Sequence, residues 1–120
     1  MFTVSVDKVG EIAVFGCRGK IERADAAYRL LRAVLAEPQS RAVILDLTKL
    51  GDIRNVAIGV LWFLQRWADS RRIQFKLFNP TRAVRNRLEH NSAKIRFHIA
   101  RFDEVMALVG PRESTYAMSA

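Results

Sequence analysis

The chain has 120 residues, half of them hydrophobic, with one cysteine and a formal net charge of +8. This length suits one domain that can bury about two-thirds of the surface of the unfolded chain. The longest strongly apolar run, 56–64, is far shorter than the roughly 20 residues of a membrane span. The first residues lack a basic start followed by an apolar block, so no secretory signal is expected. We therefore expect a cytoplasmic protein without a transmembrane helix.

The positive charge is concentrated in one segment. Residues 66–101 contain ten basic and two acidic residues, a net charge of +8, and the rest of the chain contains ten of each. Such a one-sided basic field favours acidic partners, whether protein, nucleic acid or anionic membrane. A solvated surface without a specific ligand explains it equally well.

Residue types with catalytic or metal-binding chemistry are few. Cys17 cannot form an internal disulfide, and His90 and His98 do not add a zinc-ligand spacing to it. Asp46 and Asp52 have no histidine nearby in sequence, and no glycine-rich phosphate loop occurs. We expect no enzyme activity, no cofactor and no metal.

The first half of the chain predicts a hairpin, a helix and a buried strand. Alternating apolar residues over 2–6 and an apolar run over 12–17 predict two antiparallel strands, and 18–22 reads as a loop. One-face helical spacing predicts a helix over 24–37, before Pro38. The almost unbroken apolar run 42–47 is typical of a central strand covered on both faces.

The second half predicts the remaining helices and strands. A helix is expected over 56–72, a strand over 73–78, a short helix capped by Thr81 over 81–89, a strand over 95–99 and a helix over 102–109. The order ββαβαβαβα indicates a single α/β domain, 1–109, with four helices and a mixed, mostly parallel sheet of about five strands. Residues 110–120 show no periodicity and are predicted to be a mobile tail.

The helix over 56–72 places two large apolar residues where polar ones are expected. At 100° per residue, one broad face packs on the sheet with Phe63 at its edge, and Ile58 and Trp62 fall on the opposite stripe. We expect both to be at least partly exposed as a contact surface, unless a neighbouring helix or the tail covers them. Gly59 costs up to about 1 kcal/mol relative to alanine. Its lack of a side chain suggests close approach of a partner or of a loop of the same chain.

Two segments carry a resemblance to a known family. Residues 42–48, followed by Ile53-Arg54-Asn55-Val56-Ala57-Ile58-Gly59-Val60-Leu61, resemble the V-x-L-D-L-S strand and D-S-S-G-L-G-V-L helix start of the STAS domain of anti-sigma-factor antagonists. Asn79-Pro80 with Val84 and Leu88 resembles the N-P-x-x-x-V-x-x-x-L segment of that family. The resemblance spans roughly Thr3 to Val109.

The resemblance implies a bacterial regulatory module that binds a protein partner, such as an anti-sigma-factor kinase, and is switched by serine phosphorylation. The D-S-S-G positions are here Arg54, Asn55, Val56 and Ala57, so Val56 replaces the phosphoserine and the usual switch is absent. Thr48 and Ser92 are hydroxyl residues elsewhere, each expected to be structural. The predicted partner-binding residues are Asp52, Arg54, Asn55, Val56, Ala57, Ile58, Gly59, Trp62, Arg82 and Arg85.

Two other functions stay open. STAS-like domains also attach to transporters and to lipid-transport ABC complexes, so the chain could be an accessory subunit that reaches the membrane only through its partner. Nucleic-acid binding through residues 66–101 ranks third, because neither a helix-turn-helix nor an interleaved aromatic platform is evident. The sequence does not decide between a monomer and a homodimer.

Overall fold

The computed structural model describes the backbone of residues 1–119 and the side chains of residues 1–110. The strands are β1 (Phe2–Val9), β2 (Ile12–Ile21), β3 (Ala42–Ile53), β4 (Gln74–Phe78) and β5 (Ile99–Ala100). The helices are α1 (Ala24–Leu35), α2 (Asn55–Ser70), α3 (Arg82–Glu89) and α4 (Phe102–Ser119). The predicted order ββαβαβαβα is confirmed.

Five strands form one mixed sheet in the order β1-β2-β3-β4-β5. β1 and β2 pair antiparallel around a tight turn in which Gly10 has a φ of 61°. This left-handed conformation suits glycine because it has no Cβ to clash. The other strands pair in parallel, as predicted for a chain in which helices connect successive strands.

The sheet is covered on both faces. The larger core lies between one face of the sheet and helices α1, α2 and α3, and it includes Phe15, Leu45 and Leu64. On the other face, Ile12, Ala42 and Ile44 pack with residues of α4. Both faces of β3 are therefore buried at its start, which explains its unbroken apolar sequence.

The boundaries of four elements differ clearly from the predictions. β2 continues to Ile21 through the predicted loop 18–22, and β3 continues to Ile53 beyond the predicted run 42–47, because Ile21 pairs with Ile53 across the two strands. Conversely, only Ile99 and Ala100 join β5, and residues 91–98 are irregular. The backbone of α4 runs to Ser119, past the predicted end at Val109. Mobility of residues 110–120 stays a prediction, since the side chains from 111 onward lie outside the described residues.

Candidate partner-binding surface

The start of α2 is held between strands β2 and β3 and helix α3. Arg54 is the N-cap residue in an extended conformation, and its N–H donates to the carbonyl oxygen of Ile21 at 2.9 Å. No side chain caps the helix, and its first turn contains no acidic residue. The first N–H groups of a helix lack intrahelical partners and carry partial positive charge. This end of α2 is therefore electropositive.

Two ion pairs flank the helix start. The Arg54 guanidinium lies 3.9 Å from Glu22, and the Arg87 Nε donates to Asp52 Oδ1 at 3.2 Å. An open depression of about 490 Å³ lies here, lined by Glu22, Arg54, Asn55, Val56 and Arg87. Exposed pairs of this kind contribute only about 0–1 kcal/mol each to stability. Their main effect is to neutralise and orient charges around the helix start.

The carboxyl group of Asp52 has two hydrogen-bond donors. The Ile53 N–H donates to Asp52 Oδ1 at 2.8 Å, and Arg87 donates to the same oxygen. These bonds hold the pKa of Asp52 below its ordinary value, and the bond from the Ile53 backbone has the larger effect. Asp52 is therefore ionised at neutral pH and keeps Arg87 beside the start of α2.

Val56, which the sequence resemblance aligned with the phosphoserine of STAS domains, is half-buried at the second residue of α2. The hydroxyl of Thr48 is engaged elsewhere, since it donates to Asp46 Oδ1 at 2.6 Å and accepts from Asn79 Nδ2 at 2.9 Å. Asp46 also accepts from the Thr48 N–H at 3.0 Å, so it is a backbone-capping carboxylate.

The solvent-facing stripe of α2 carries two aromatic side chains. Trp62 is 43% exposed, as predicted, and Phe63 is 48% exposed, which fits its predicted place at the edge of the packed face. The guanidinium of Arg66 lies 5.2 Å from the centre of the Trp62 ring. A Cβ placed on exposed Gly59 would meet no atom within 4 Å. Among residues 1–110, no loop approaches this glycine closely enough to require it.

Ile58 was predicted to be exposed, and that prediction is wrong: Ile58 is 6% exposed and belongs to the larger core. It lies two turns before Gln65 on the same side of α2, and the Gln65 amide donates to the carbonyl oxygen of Arg96 at 3.2 Å. Half-buried Ile95 and Phe97 pack against the same core. The irregular segment 91–98 therefore covers a second side of the helix. Ala57, which was also predicted to bind the partner, is 1% exposed and lies in the same core.

Helix α3 brings a different arginine to the helix start than the sequence predicted. Arg85 lines a separate depression with Phe78 and Phe102, and its partner is Glu89 at 3.8 Å. Arg82 is exposed at the first residue of α3. Arg87 reaches Asp52 instead, because it lies on the other flank of the inward residues Val84 and Leu88.

The side chains with reactive chemistry lie apart from the start of α2. Burial, with the nearby charge of Asp46, raises the pKa of the Cys17 thiol to about 12, so it stays protonated at neutral pH. His98 Nε2 lies 2.7 Å from Glu104 Oε2 beside β5. Within residues 1–110, no three His, Cys, Asp or Glu side chains are grouped to hold a metal ion. None of the helices described here is long and apolar enough to cross a membrane.

Comparison with solved structures identifies the fold. The anti-sigma factor antagonist SpoIIAA in its unphosphorylated form superposes with a TM-score of 0.74 and 14% identity, over 91% of this chain and 97% of that one. The chain has the STAS fold. A putative anti-sigma factor antagonist from Thermotoga maritima gives a TM-score of 0.73 and 18% identity, over 88% and 93% of the two chains. At such identities the similarity shows the fold alone.

A third STAS-fold neighbour lies within a much longer protein. SLC26A9 gives a TM-score of 0.66 and 12% identity over 88% of this chain, but only 21% of the SLC26A9 chain is matched. No protein-family model and no curated protein matches the chain by sequence.

Proposed function

We propose that the chain is a cytoplasmic, non-enzymatic regulatory module that binds a protein partner through one surface, here called the α2 surface. It consists of Asp52, residues 54–56, Gly59, Trp62, Phe63 and Arg87. The observation that carries the proposal is the pair of exposed aromatic side chains beside a glycine that no other element within residues 1–110 approaches. The STAS fold, shared with anti-sigma factor antagonists, supports a protein as the partner.

The chemistry of the α2 surface is that of a protein interface. Fully burying Trp62 and Phe63 could contribute about 1.5–3 kcal/mol each or more, and tryptophan is enriched among interface hot spots. At one end of this aromatic pair, at the start of α2, Arg54 and Arg87 are paired with acids and form a polar border. Interfaces of this type combine an apolar core with a polar border.

Val56 makes the proposed interaction independent of the family's switch. A phosphate at this position would add about −1.5 to −2 charges at neutral pH. Valine has no hydroxyl to receive it, so we propose that binding at the α2 surface is constitutive or is controlled elsewhere. An anti-sigma-factor kinase-like protein is the partner class that the fold favours.

Affinity capture from the native cytoplasm, with mass spectrometry, should identify the partner, and calorimetry should then compare variants. We expect Trp62→Ala and Phe63→Ala each to weaken binding at least tenfold, or about 1.4 kcal/mol. Phe102→Ala is the matched control, because Phe102 is 68% exposed but lies at the start of α4. Circular dichroism checks that each variant is folded. Unchanged affinity of the Trp62/Phe63 double variant would refute the proposal.

The similarity to a domain of SLC26A9 supports a second candidate function. In it, the chain is an accessory subunit of a membrane transport assembly and uses the same α2 surface to bind a transporter subunit. Copurification with a membrane ATPase rather than a soluble kinase would favour this candidate. Sedimentation equilibrium of the purified chain would show whether the partner is a second copy.

A further inference from the structure

One half of strand β4 has an open edge. β5 pairs only with Leu77 and Phe78, so residues 74–76 have no strand beside them on that side. The Gln74 N–H donates towards β3, to Arg41 at 3.1 Å, and the Leu77 N–H donates the other way, to His98 at 3.4 Å. Because strand amides alternate in direction, the N–H and C=O of Phe75 point away from β3, to the open edge.

A groove runs along this open edge. It has a volume of about 560 Å³ and lies between the C-terminal half of α2 and residues 73–76, with His98 at its border. Arg66, Arg72 and Lys76 line it, against one acidic residue, Asp69. Within residues 1–110, none of these four side chains takes part in an ion pair. The groove therefore carries a net positive charge on side chains that form no ion pair among the described residues, unlike the start of α2.

Arg72 occupies a backbone conformation that favours glycine. Its φ is 59°, in the left-handed region, at the position after the C-cap of α2. Helices commonly end with glycine there, because a side chain is strained. An arginine at this position places a guanidinium at the mouth of the groove at the expense of stability, as residues held in strained conformations at binding sites do.

We propose that this β4 groove binds an extended, acidic segment of a partner protein by strand addition. The segment pairs through its backbone with the N–H and C=O of Phe75, and its carboxylates lie against Arg66, Arg72 and Lys76. An open edge supplies directional hydrogen bonds, and the surrounding side chains supply specificity, which is the usual division in strand addition. The β4 groove meets the α2 surface at the Arg66–Trp62 contact, but Arg72, Phe75 and Lys76 are not part of the α2 surface, so variants at these positions test the groove alone.

The probe for the test is a fluorescein-labelled peptide of alternating glutamate and valine, of about seven residues, a typical strand length. Fluorescence anisotropy measures its affinity for the full chain, and amide hydrogen exchange by NMR reports on Phe75. We expect saturable binding and slower exchange of the Phe75 N–H in the complex. A lysine–valine peptide of the same length should not bind.

Arg72→Gly separates binding from folding. It should weaken peptide binding at least tenfold and yet raise the melting temperature, because it relieves the left-handed strain. Arg32→Gln is the matched control, since Arg32 is an exposed arginine of α1 and its removal changes the charge equally. Unchanged binding by Arg72→Gly, binding without protection of Phe75, or binding of a short single-stranded oligonucleotide in place of the peptide would each overturn the proposal.

Discussion

Replacing Gly59 by alanine should stabilise the isolated domain. Gly59 lies in the second turn of α2, is exposed, and its φ is outside the left-handed region. Its added Cβ would meet no atom of another element within 4 Å in residues 1–110, so neither a clash nor new packing with them competes with helix propensity. Alanine is favoured over glycine by about 0.8–1 kcal/mol inside a helix. For a domain of this size, that corresponds to an increase of roughly 3–5 °C in Tm.

The same substitution should weaken partner binding, because a methyl group would separate the two backbones where the α2 surface lacks a side chain. Urea denaturation and calorimetry measure the free energy of unfolding, and titration with the captured partner measures the affinity, expected to fall at least tenfold. Gly110→Ala is the control, since its Cβ lies 3.9 Å from Met106 in helix α4, away from the α2 surface. A lower free energy of unfolding for Gly59→Ala would contradict the open space around Gly59. A higher free energy of unfolding with unchanged affinity would refute the close approach of the partner backbone to Gly59.

Three further substitutions have defined outcomes. Ile58→Asp should lower the free energy of unfolding by about 3 kcal/mol or more, because it buries an unpaired carboxylate. Circular dichroism should show the loss of folded protein. Arg87→Gln should raise the pKa of Asp52 yet leave it below the ordinary value, since the Ile53 N–H remains, and NMR titration of the carboxyl carbon measures this. Val56→Asp should keep the fold, because a carboxylate is favourable by about 0.3–1 kcal/mol at a helix start, but should reduce partner affinity in calorimetry.

Each substitution has a control or a contradicting result. Ile58→Val should stay folded, and a folded Ile58→Asp would contradict the burial of that side chain. For Asp52, the lowered pKa means that its stabilising contribution is present above its ordinary pKa and is lost as the pH falls through the lowered value. Arg87→Gln should therefore reduce the decrease in the free energy of unfolding on acidification. An unchanged decrease would contradict the pairing of Arg87 with Asp52. Val56→Asn keeps the shape without the charge, and equal affinities for both Val56 variants would exclude an electrostatic effect.

The sequence predicted elements well where the hydrophobic pattern is strong or a cap is clear. The run 42–47 indicated a strand covered on both faces, and the strand lies between two cores. Thr81 was predicted as a helix cap, and its hydroxyl accepts from the Val84 N–H at 3.3 Å. The cap is a local feature and the apolar run depends only on burial, so both elements can be predicted without knowledge of tertiary contacts.

The error at Ile58 has a tertiary cause. A helical wheel assumes one buried face, but segment 91–98 covers a second side of α2 instead of extending β5. The alternation of Ile95 and Phe97 fitted a strand equally well, and it arises here because both side chains pack against the core from an irregular segment. Only the path of the chain after α3 distinguishes the two arrangements, and no local pattern encodes it.

Arg87 was missed for a similar reason. Val84 and Leu88 fix the inward side of α3, and at 100° per residue Arg85 and Arg87 then lie on opposite flanks. Periodicity alone does not tell which flank faces the start of α2. The partner of Arg87, Asp52, was among the predicted partner-binding residues. No basic partner was predicted for Asp52, and this was the one sequence signal that could have pointed to Arg87.

Helix α2 carries two surfaces of different physical character. At its start, Arg54 and Arg87 are neutralised by acids, and the exposed groups in the middle are Trp62 and Phe63. At its end, the β4 groove is lined by cations without ion pairs in the described part of the chain. Binding at the first surface should therefore depend little on salt, whereas binding at the groove should weaken steeply as salt screens the charges. Of the ten basic residues in 66–101, only Arg66, Arg72 and Lys76 line the groove, whereas Arg87 belongs to the α2 surface, so the basic segment contributes to both surfaces.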